Sequence, residues 1–292
     1  MRRQLVSVAL ALSFAGAACA DDDSNKRPPP DQWLFGGDRG AEIRVPDAYD
    51  HNEPTPLLVV LHGYRASGLT QLVYARLDLL VNDQNVLVIA PDGTVDEDGK
   101  RFWNATDRCC DFWDTGVDDL GYISGLITEI SGVWNVDPKR VYLFGHSNGA
   151  FMSYQLACHH ADKIAGIVTL AGVAQLDEAA CNPSEPVSVL HIHGDQDPDV
   201  PYNGETTAPS AEDSTAYWAG YNGCAGTRTL LDERLDIDGL VDGAETRMEK
   251  HDGCPEGVNV DLWTLENSGH VPTFPDAFAT LVWDWLAAHP KR

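Results

Sequence analysis

The chain has 292 residues, of which 45 are acidic and 20 basic, giving a formal charge of −25. That charge repels phosphate and anionic headgroups, which argues against nucleic acid as a partner and against attachment to anionic lipid by charge alone. A 43% hydrophobic share over this length is ordinary for a globular protein and is enough for one large domain with a full core.

Arg2 and Arg3 precede an apolar run over residues 5–18, which small residues follow. The run is too short to span a bilayer comfortably, so residues 1–18 are expected to be a signal peptide. Cys19 comes directly after Gly16-Ala17-Ala18, where a lipoprotein precursor is cut and acylated. Cys19 is therefore a lipidation candidate, with ordinary cleavage and free secretion as the alternative. Either outcome makes the chain an exported one, secreted or held in the cell envelope. Residues 19–32 read as an acidic, Pro-rich tether, which leaves 33–292 as the folded domain.

Residues 41–45 predict an antiparallel first strand. Apolar runs at 57–61, 86–90, 141–144, 164–170, 187–193 and 260–265 predict strands buried on both faces. Helical patterns occupy 69–82, 118–133, 148–160, 211–221 and 275–289. The alternation predicts an α/β fold, a mostly parallel sheet with helices on both faces. A polar loop over 96–115 carries Trp103, Asn104, Cys109 and Cys110. A second insertion, 223–257, reads as a hairpin with strands at 227–237 and 245–251. The stretch after Leu170 reaches the next strand in about 16 residues, an ordinary connection that leaves no room for a large cap. An open cleft is expected.

Beyond Cys19 six cysteines remain, at 109, 110, 158, 181, 224 and 254. An even count in an exported chain predicts disulfides. Cys224 and Cys254 flank one segment and are expected to pair. Neighbouring cysteines bond to each other only with difficulty, so Cys109 and Cys110 are expected to reach different places. They and Cys158 and Cys181 supply one or two more bonds. No Cys-x-x-Cys occurs, which argues against zinc.

Gly145-His146-Ser147-Asn148-Gly149 lies between a predicted strand and a predicted helix. A serine on that turn projects its hydroxyl above the sheet, and the flanking glycines let strand and helix pass closely. A serine hydroxyl needs a base, and the base needs an orienting carboxylate. His270 follows the last predicted strand and precedes the last helix, so it sits at the carboxyl edge of the sheet. Asp195, Asp197 and Asp199 end the strand before it. Asp-x-Asp-x-Asp is also how a calcium loop begins, but Val200 and Thr206 stand where that loop needs Gly and Glu. His191 and His193 share a strand face and read as filling the strand's end, because no third metal ligand is evident. A tetrahedral oxyanion needs two donors. The N–H groups of Asn148 and of Tyr64, in the loop after strand 57–61, are the candidates. No cofactor and no metal are implied.

Together these residues resemble the secreted polyhydroxybutyrate depolymerase, feruloyl esterase and acetylxylan esterase family, carbohydrate esterases of the α/β-hydrolase type. The shared pieces include Leu61-His62-Gly63-Tyr64, Trp103-Asn104, Cys109-Cys110, Val117-Asp118-Asp119, the Ser147 turn, Val200-Pro201-Tyr202 and Gly269-His270. They span residues from about 35 to about 290. The family's Gly-x-x-Asp-x-x-Val-Pro spacing implies Asp197 as the acid partner of His270. The resemblance makes 33–292 a catalytic domain, with Trp103, Asn104, His146 and Tyr202 as cleft candidates. It implies a serine ester hydrolase that forms an acyl-enzyme on Ser147, acting on feruloyl or acetyl esters of plant polysaccharide. A short-chain polyester depolymerase is the alternative. An anchored, non-catalytic binding protein of the same fold is the alternative of another class. The partner implied is an ester substrate, and a membrane only through Cys19. Two departures border the expected cleft. The Gly-rich stretch before the histidine is Asn267-Ser268-Gly269 here, and a Trp common just past it is missing.

Overall fold

Runs of Val, Leu and Ile without a polar face must be covered on both sides, and that need organises the chain. The computed structural model describes residues 30–292. The expected signal peptide, Cys19 and all but the end of the tether lie outside the described residues.

The chain opens with β1 (Leu34–Phe35), β2 (Ala41–Arg44) and β3 (Thr55–Leu61). Then come α1 (Gly68–Tyr74), α2 (Leu80–Asp83), β4 (Leu87–Ile89) and a two-stranded ribbon, β5 (Thr94–Val95) with β6 (Arg101–Phe102). Next are α3 (Asp119–Val133), β7 (Val136–His146), α4 (Asn148–His159), β8 (Gly166–Leu170), β9 (Ser188–Gly194) and α5 (Ala211–Tyr221). β10 (Arg228–Leu235), β11 (Thr246–His251), β12 (Val260–Leu265) and α6 (Phe278–Ala287) complete it.

Among the described residues the main sheet has ten strands in the order β1-β2-β4-β3-β7-β8-β9-β12-β11-β10. The strands from β4 to β12 in that order are parallel. β2 and β11 join the two edges antiparallel, and β1 and β10 extend them. β3 is buried along its whole length. Its alternate residues serve the two faces, as the strand period of two requires. Leu57, Val59 and Leu61 pack in one cluster with Ile123, Ile127, Tyr154 and Trp218 of α3, α4 and α5. Leu58 and Val60 pack in the other with Leu72, Leu80, Phe278 and Val282 of α1, α2 and α6.

Local chemistry starts the helices where the chain needs them. The Asp118 side chain accepts from Gly121 N–H at the head of α3. Ser210 and Asp213 form a reciprocal capping box on α5. The predicted helix 69–82 is broken. Arg76 takes a left-handed conformation with φ 55°, which a right-handed helix cannot continue through. The break redirects the chain so that Leu72, Leu77 and Leu80 all reach the core.

Three disulfides occur among the described residues. Cys224–Cys254 forms as expected and closes the base of the β10–β11 hairpin. Cys158–Cys181 ties the end of α4 to the β8–β9 connection. The expectation for Cys109 and Cys110 is corrected, because they bond to each other. Their peptide bond is cis, with the two Cα atoms 3.0 Å apart. The β8–β9 connection holds a single short 3-10 turn, Glu178–Ala180, so this connection contributes no large cap over the carboxyl edge of the sheet.

Candidate active site

β7 delivers Ser147 to the carboxyl edge of the sheet, and α4 begins directly after it. Ser147 has φ 52° and ψ −119°, a conformation that a non-Gly residue holds only under constraint. The constraint is backbone crowding. A side chain at Gly145 would run into the carbonyl of Gly149, and one at Gly149 into the carbonyls of Leu61 and His62. Ser147 N–H donates to Leu170 O of the neighbouring strand at 2.8 Å. The turn is thus clamped between β3 and β8.

His270 lies between β12 and α6. Its Nε2 is 2.9 Å from Ser147 Oγ, and its Nδ1 is 2.7 Å from Asp197 Oδ2. A carboxylate accepts, so Nδ1 carries the proton and Nε2 presents a lone pair to the serine hydroxyl. Asp197 is buried, and its Oδ1 accepts from the N–H groups of Asp199 (2.8 Å) and Val200 (2.9 Å). Burial alone would raise its pKa. The hydrogen bonds from His193 and His270, the charge of His270 and the Val200 N–H outweigh burial and hold the carboxyl well below the usual range.

The other two acids have different partners. Asp195 Oδ1 accepts from Asn267 N–H at 2.7 Å. Asp199 is exposed and offers Asp197 its backbone N–H. Asp197, Asp199 and His270 come within 4.8 Å of one another, the grouping best placed for a metal among the described residues. With Nδ1 protonated toward Asp197, His270 has no lone pair to give a cation on that side.

The His270 loop is tied down from several directions. His146 Nε2–H donates to His270 O (3.0 Å) and Tyr74 O–H to Pro272 O (2.8 Å). Burial, then the nearby charge of His270, hold the pKa of His146 at about 4, so its ring is neutral and its Nδ1 faces the Gln71 amide at 3.2 Å. Asp238, buried in the β10–β11 hairpin, accepts from Ser268 Oγ (2.6 Å) and Thr273 N–H (2.9 Å), one on each side of His270. Gly239 N–H adds a bond to Thr273 O at 2.8 Å. Sequence reasoning missed Asp238, Tyr74 and Gln71. Asp238 sits in Asp236-Ile237-Asp238-Gly239, which reads as an exposed turn.

The N–H groups of Tyr64 and Asn148 have no acceptor among the described residues. Gly63 lies against Ser147, so that a Cβ there would sit 3.4 Å from the serine Cβ. The two N–H groups thus flank the serine from two loops. A cleft of about 300 Å³ opens there, walled by Tyr64, Thr70, Tyr74, His146 and Val271, with Ser147 and His270 at its floor. A larger hollow of about 610 Å³, lined by Arg108, Gln155 and Gln175, contains none of these groups.

Of the four cleft candidates, His146 lines the cleft and the other three do not. Trp103 is fully buried. Its backbone N–H donates to Asn148 Oδ1 (2.7 Å), its carbonyl accepts from Asn148 Nδ2 (2.8 Å), and its Nε1–H donates to His62 O (3.0 Å). Trp103 therefore braces the Tyr64 loop against the serine turn. Asn104 is spent on Asp119 and Val117. Tyr202 is buried, with its hydroxyl 2.8 Å from Thr264 Oγ1. All three are framework.

The acetyl xylan esterase of Aspergillus awamori superposes on this chain with a TM-score of 0.59 at 15% identity, covering 85% of this chain and 94% of that one. The fold is that of the α/β-hydrolases. Residues 117–216 of the chain match the phospholipase/carboxylesterase family model. It is 27% identical over 256 residues to feruloyl esterase B of Piromyces equi, covering 84% of this chain and 44% of that protein. It is 24% identical over 255 residues to the bifunctional acetylxylan esterase/xylanase XynS20E of Neocallimastix patriciarum, covering 86% of this chain and 33% of that protein. The chain spans less than half the length of these two relatives.

Proposed function

We propose that this α/β-hydrolase is a serine carboxylic ester hydrolase acting on feruloyl or acetyl esters of plant polysaccharide. The observation that carries the reading is the line of hydrogen bonds from Ser147 through His270 to Asp197, at 2.9 and 2.7 Å. His270 Nε2 takes the Ser147 proton as Oγ attacks the ester carbonyl. The Tyr64 and Asn148 N–H groups receive the oxyanion, and having no internal acceptor they need give up no bond to do so. His270 then protonates the departing alcohol. Water, deprotonated by the same nitrogen, releases the acid and restores Ser147. Asp197 holds the ring in the tautomer that both halves require and stabilises the imidazolium.

The substrate class is supported by the names of the relatives and by the open cleft, which leaves a bulky alcohol in solvent. Three disulfides support an exported protein. Among the described residues no helix is long and apolar enough to cross a membrane. Attachment to an envelope would rest on an acylated Cys19, which the mass of the mature amino terminus reveals.

The test pairs a substrate panel with one variant. Wild-type protein is expected to hydrolyse methyl ferulate or acetylated xylan faster than hydroxybutyrate oligomers, and Ser147→Ala is expected to abolish turnover while keeping the fold. Preference for the oligomers would move the assignment to a short-chain polyester hydrolase. Absence of any ester turnover, with no fluorophosphonate labelling of Ser147, would leave a binding protein.

A further inference from the structure

Beneath the serine, histidine and aspartate lies a column of buried polar groups that the acyl-transfer steps do not use. His191 and His193 stand two residues apart on β9, so both side chains point to one face, and both are fully buried. Tyr154 Oη is 2.7 Å from His191 Nδ1, and His191 Nε2 is 3.0 Å from His193 Nδ1. His193 Nε2 is 2.9 Å from Val200 O and 3.2 Å from Asp197 Oδ2.

The end groups set the direction of every bond. A carbonyl and a carboxylate only accept, so His193 Nε2 carries an N–H. In a neutral ring Nδ1 is then an acceptor, and His191 Nε2–H must fill it. His191 Nδ1 is left to accept from the Tyr154 hydroxyl. Burial, then the proximity of His193, disfavours a charge on His191. The whole column therefore donates toward Val200 O and the Asp197 carboxylate beside it.

We propose that His193 is a positioning residue for Asp197, locked by His191 and Tyr154 in the tautomer that donates from Nε2. The proposal rests on the ester-hydrolase reading given above. Besides His270, three N–H groups face the carboxylate, although the His193 Nε2–H makes its shorter contact with Val200 O, 2.9 Å against 3.2 Å to Asp197 Oδ2. Two are the N–H groups of Asp199 and Val200, from the same turn as Asp197 itself, so they move with it. His193 comes from the rigid strand β9. By holding Val200 O at 2.9 Å and lying 3.2 Å from Asp197 Oδ2, it references the turn and its carboxylate, and through them the His270 ring, to the sheet that also carries Ser147.

Three measurements decide it. Steady-state kinetics on 4-nitrophenyl acetate, with active sites counted by exhaustive fluorophosphonate labelling, compare wild type with His193→Leu and His193→Gln. Leucine removes the donor, and kcat per labelled site is expected to fall about 10- to 100-fold with KM little changed. Glutamine can place an amide N–H near the Nε2 position, and is expected to recover kcat to within about fivefold. Nitrogen NMR of the histidine-labelled wild type is expected to find His193 protonated on Nε2 and bare on Nδ1. A leucine variant with unchanged kcat per labelled site overturns the proposal, and so does a failure of glutamine to recover kcat in folded protein. A His193 protonated on Nδ1 alone overturns it without any variant, which keeps the test decisive if leucine prevents folding. A wild type inert toward esters and toward the phosphonate would instead refute the hydrolase reading, and the tautomer measurement would still judge the His193 column.

Discussion

The hairpin at the far edge of the sheet reaches back to the candidate active site through the Asp238 carboxylate and the Gly239 N–H, and Asp238→Ala tests what the carboxylate's share is worth. The substitution removes the acceptor for Ser268 Oγ at 2.6 Å, Thr273 N–H at 2.9 Å and Leu240 N–H at 3.1 Å. The site is buried, so the released donors are poorly rehydrated. A hydrogen bond to a charged group contributes about 1.5–3 kcal/mol, and two of the three bear directly on the His270 loop. Because Thr273 is exposed and its N–H can turn to water, while Ser268 stays buried, the expected net loss is about 3 kcal/mol, the low end of that range for the pair. For a domain of this size that is a fall in Tm of about 4–10 °C. The kinetic effect is expected to be larger than the thermal one. Moving a catalytic base by about 1 Å costs on the order of 100-fold in rate, whereas fluorophosphonate still reaches Ser147. Asp238→Asn keeps an acceptor for Thr273 N–H and is expected to retain most of the rate. The assay is 4-nitrophenyl acetate turnover per labelled site beside a thermal melt. An alanine variant with wild-type kcat would refute the idea that the hairpin positions His270, whatever its Tm.

Three further outcomes are expected. Substituting Asp195, Asp197 and Asp199 one at a time by Asn should abolish turnover at Asp197 alone, since His270 bonds only to that one; inactivation confined to Asp195 would displace the assignment. Stability should fall in acid. Asp197 has a folded pKa below its unfolded value, so its contribution is present above the ordinary carboxylate range and is lost as pH falls through its folded pKa. His146, at about 4 when folded against 6.5, disfavours the folded state increasingly as pH drops from 6.5 toward 4, because the unfolded chain takes the proton first. Melts from pH 7 to pH 4 should therefore show a declining Tm from His146, with the loss from Asp197 following only below about pH 4; a flat profile from pH 7 to pH 4 would contradict the reading of His146. Finally, replacing Cys158 and Cys181 together by Ser opens a loop with a sequence separation of 23 and should lower stability by about 3 kcal/mol in urea denaturation.

The parallel strands were legible because a continuous apolar run carries its own instruction, and α5 was legible to the residue because Ser210 caps it and Asn222 follows. The break at Arg76 was not legible. No local residue demands it, and it exists so that leucines on either side reach one core. The Cys109–Cys110 bond was not legible, because adjacent cysteines pair only with difficulty and their spacing pointed each to a separate partner. Ser147 and His270 could be found from position and order, but the choice among Asp195, Asp197 and Asp199 needed a family spacing, since all three are near and acidic. Trp103, Asn104 and Tyr202 were read as cleft residues because a shared motif marks framework and contact alike. Only burial and hydrogen bonding separate the two. Asp238 left no local trace, because its partners lie about 30 residues onward in another loop.

The side chain of Asn148 has a consequence for how freely the serine turn could be transplanted. Its amide grips the Trp103 backbone in both directions, and Trp103 in turn holds His62 O, two residues before Tyr64. The two donors assigned to the oxyanion thus belong to separate loops joined by one strut. An Asp at 148 would match the shape but lose the N–H that meets Trp103 O, and it would set a negative charge beside the forming oxyanion. Grafted onto another strand and helix, Gly145-His146-Ser147-Asn148-Gly149 would carry a nucleophile and one donor, with the second left behind.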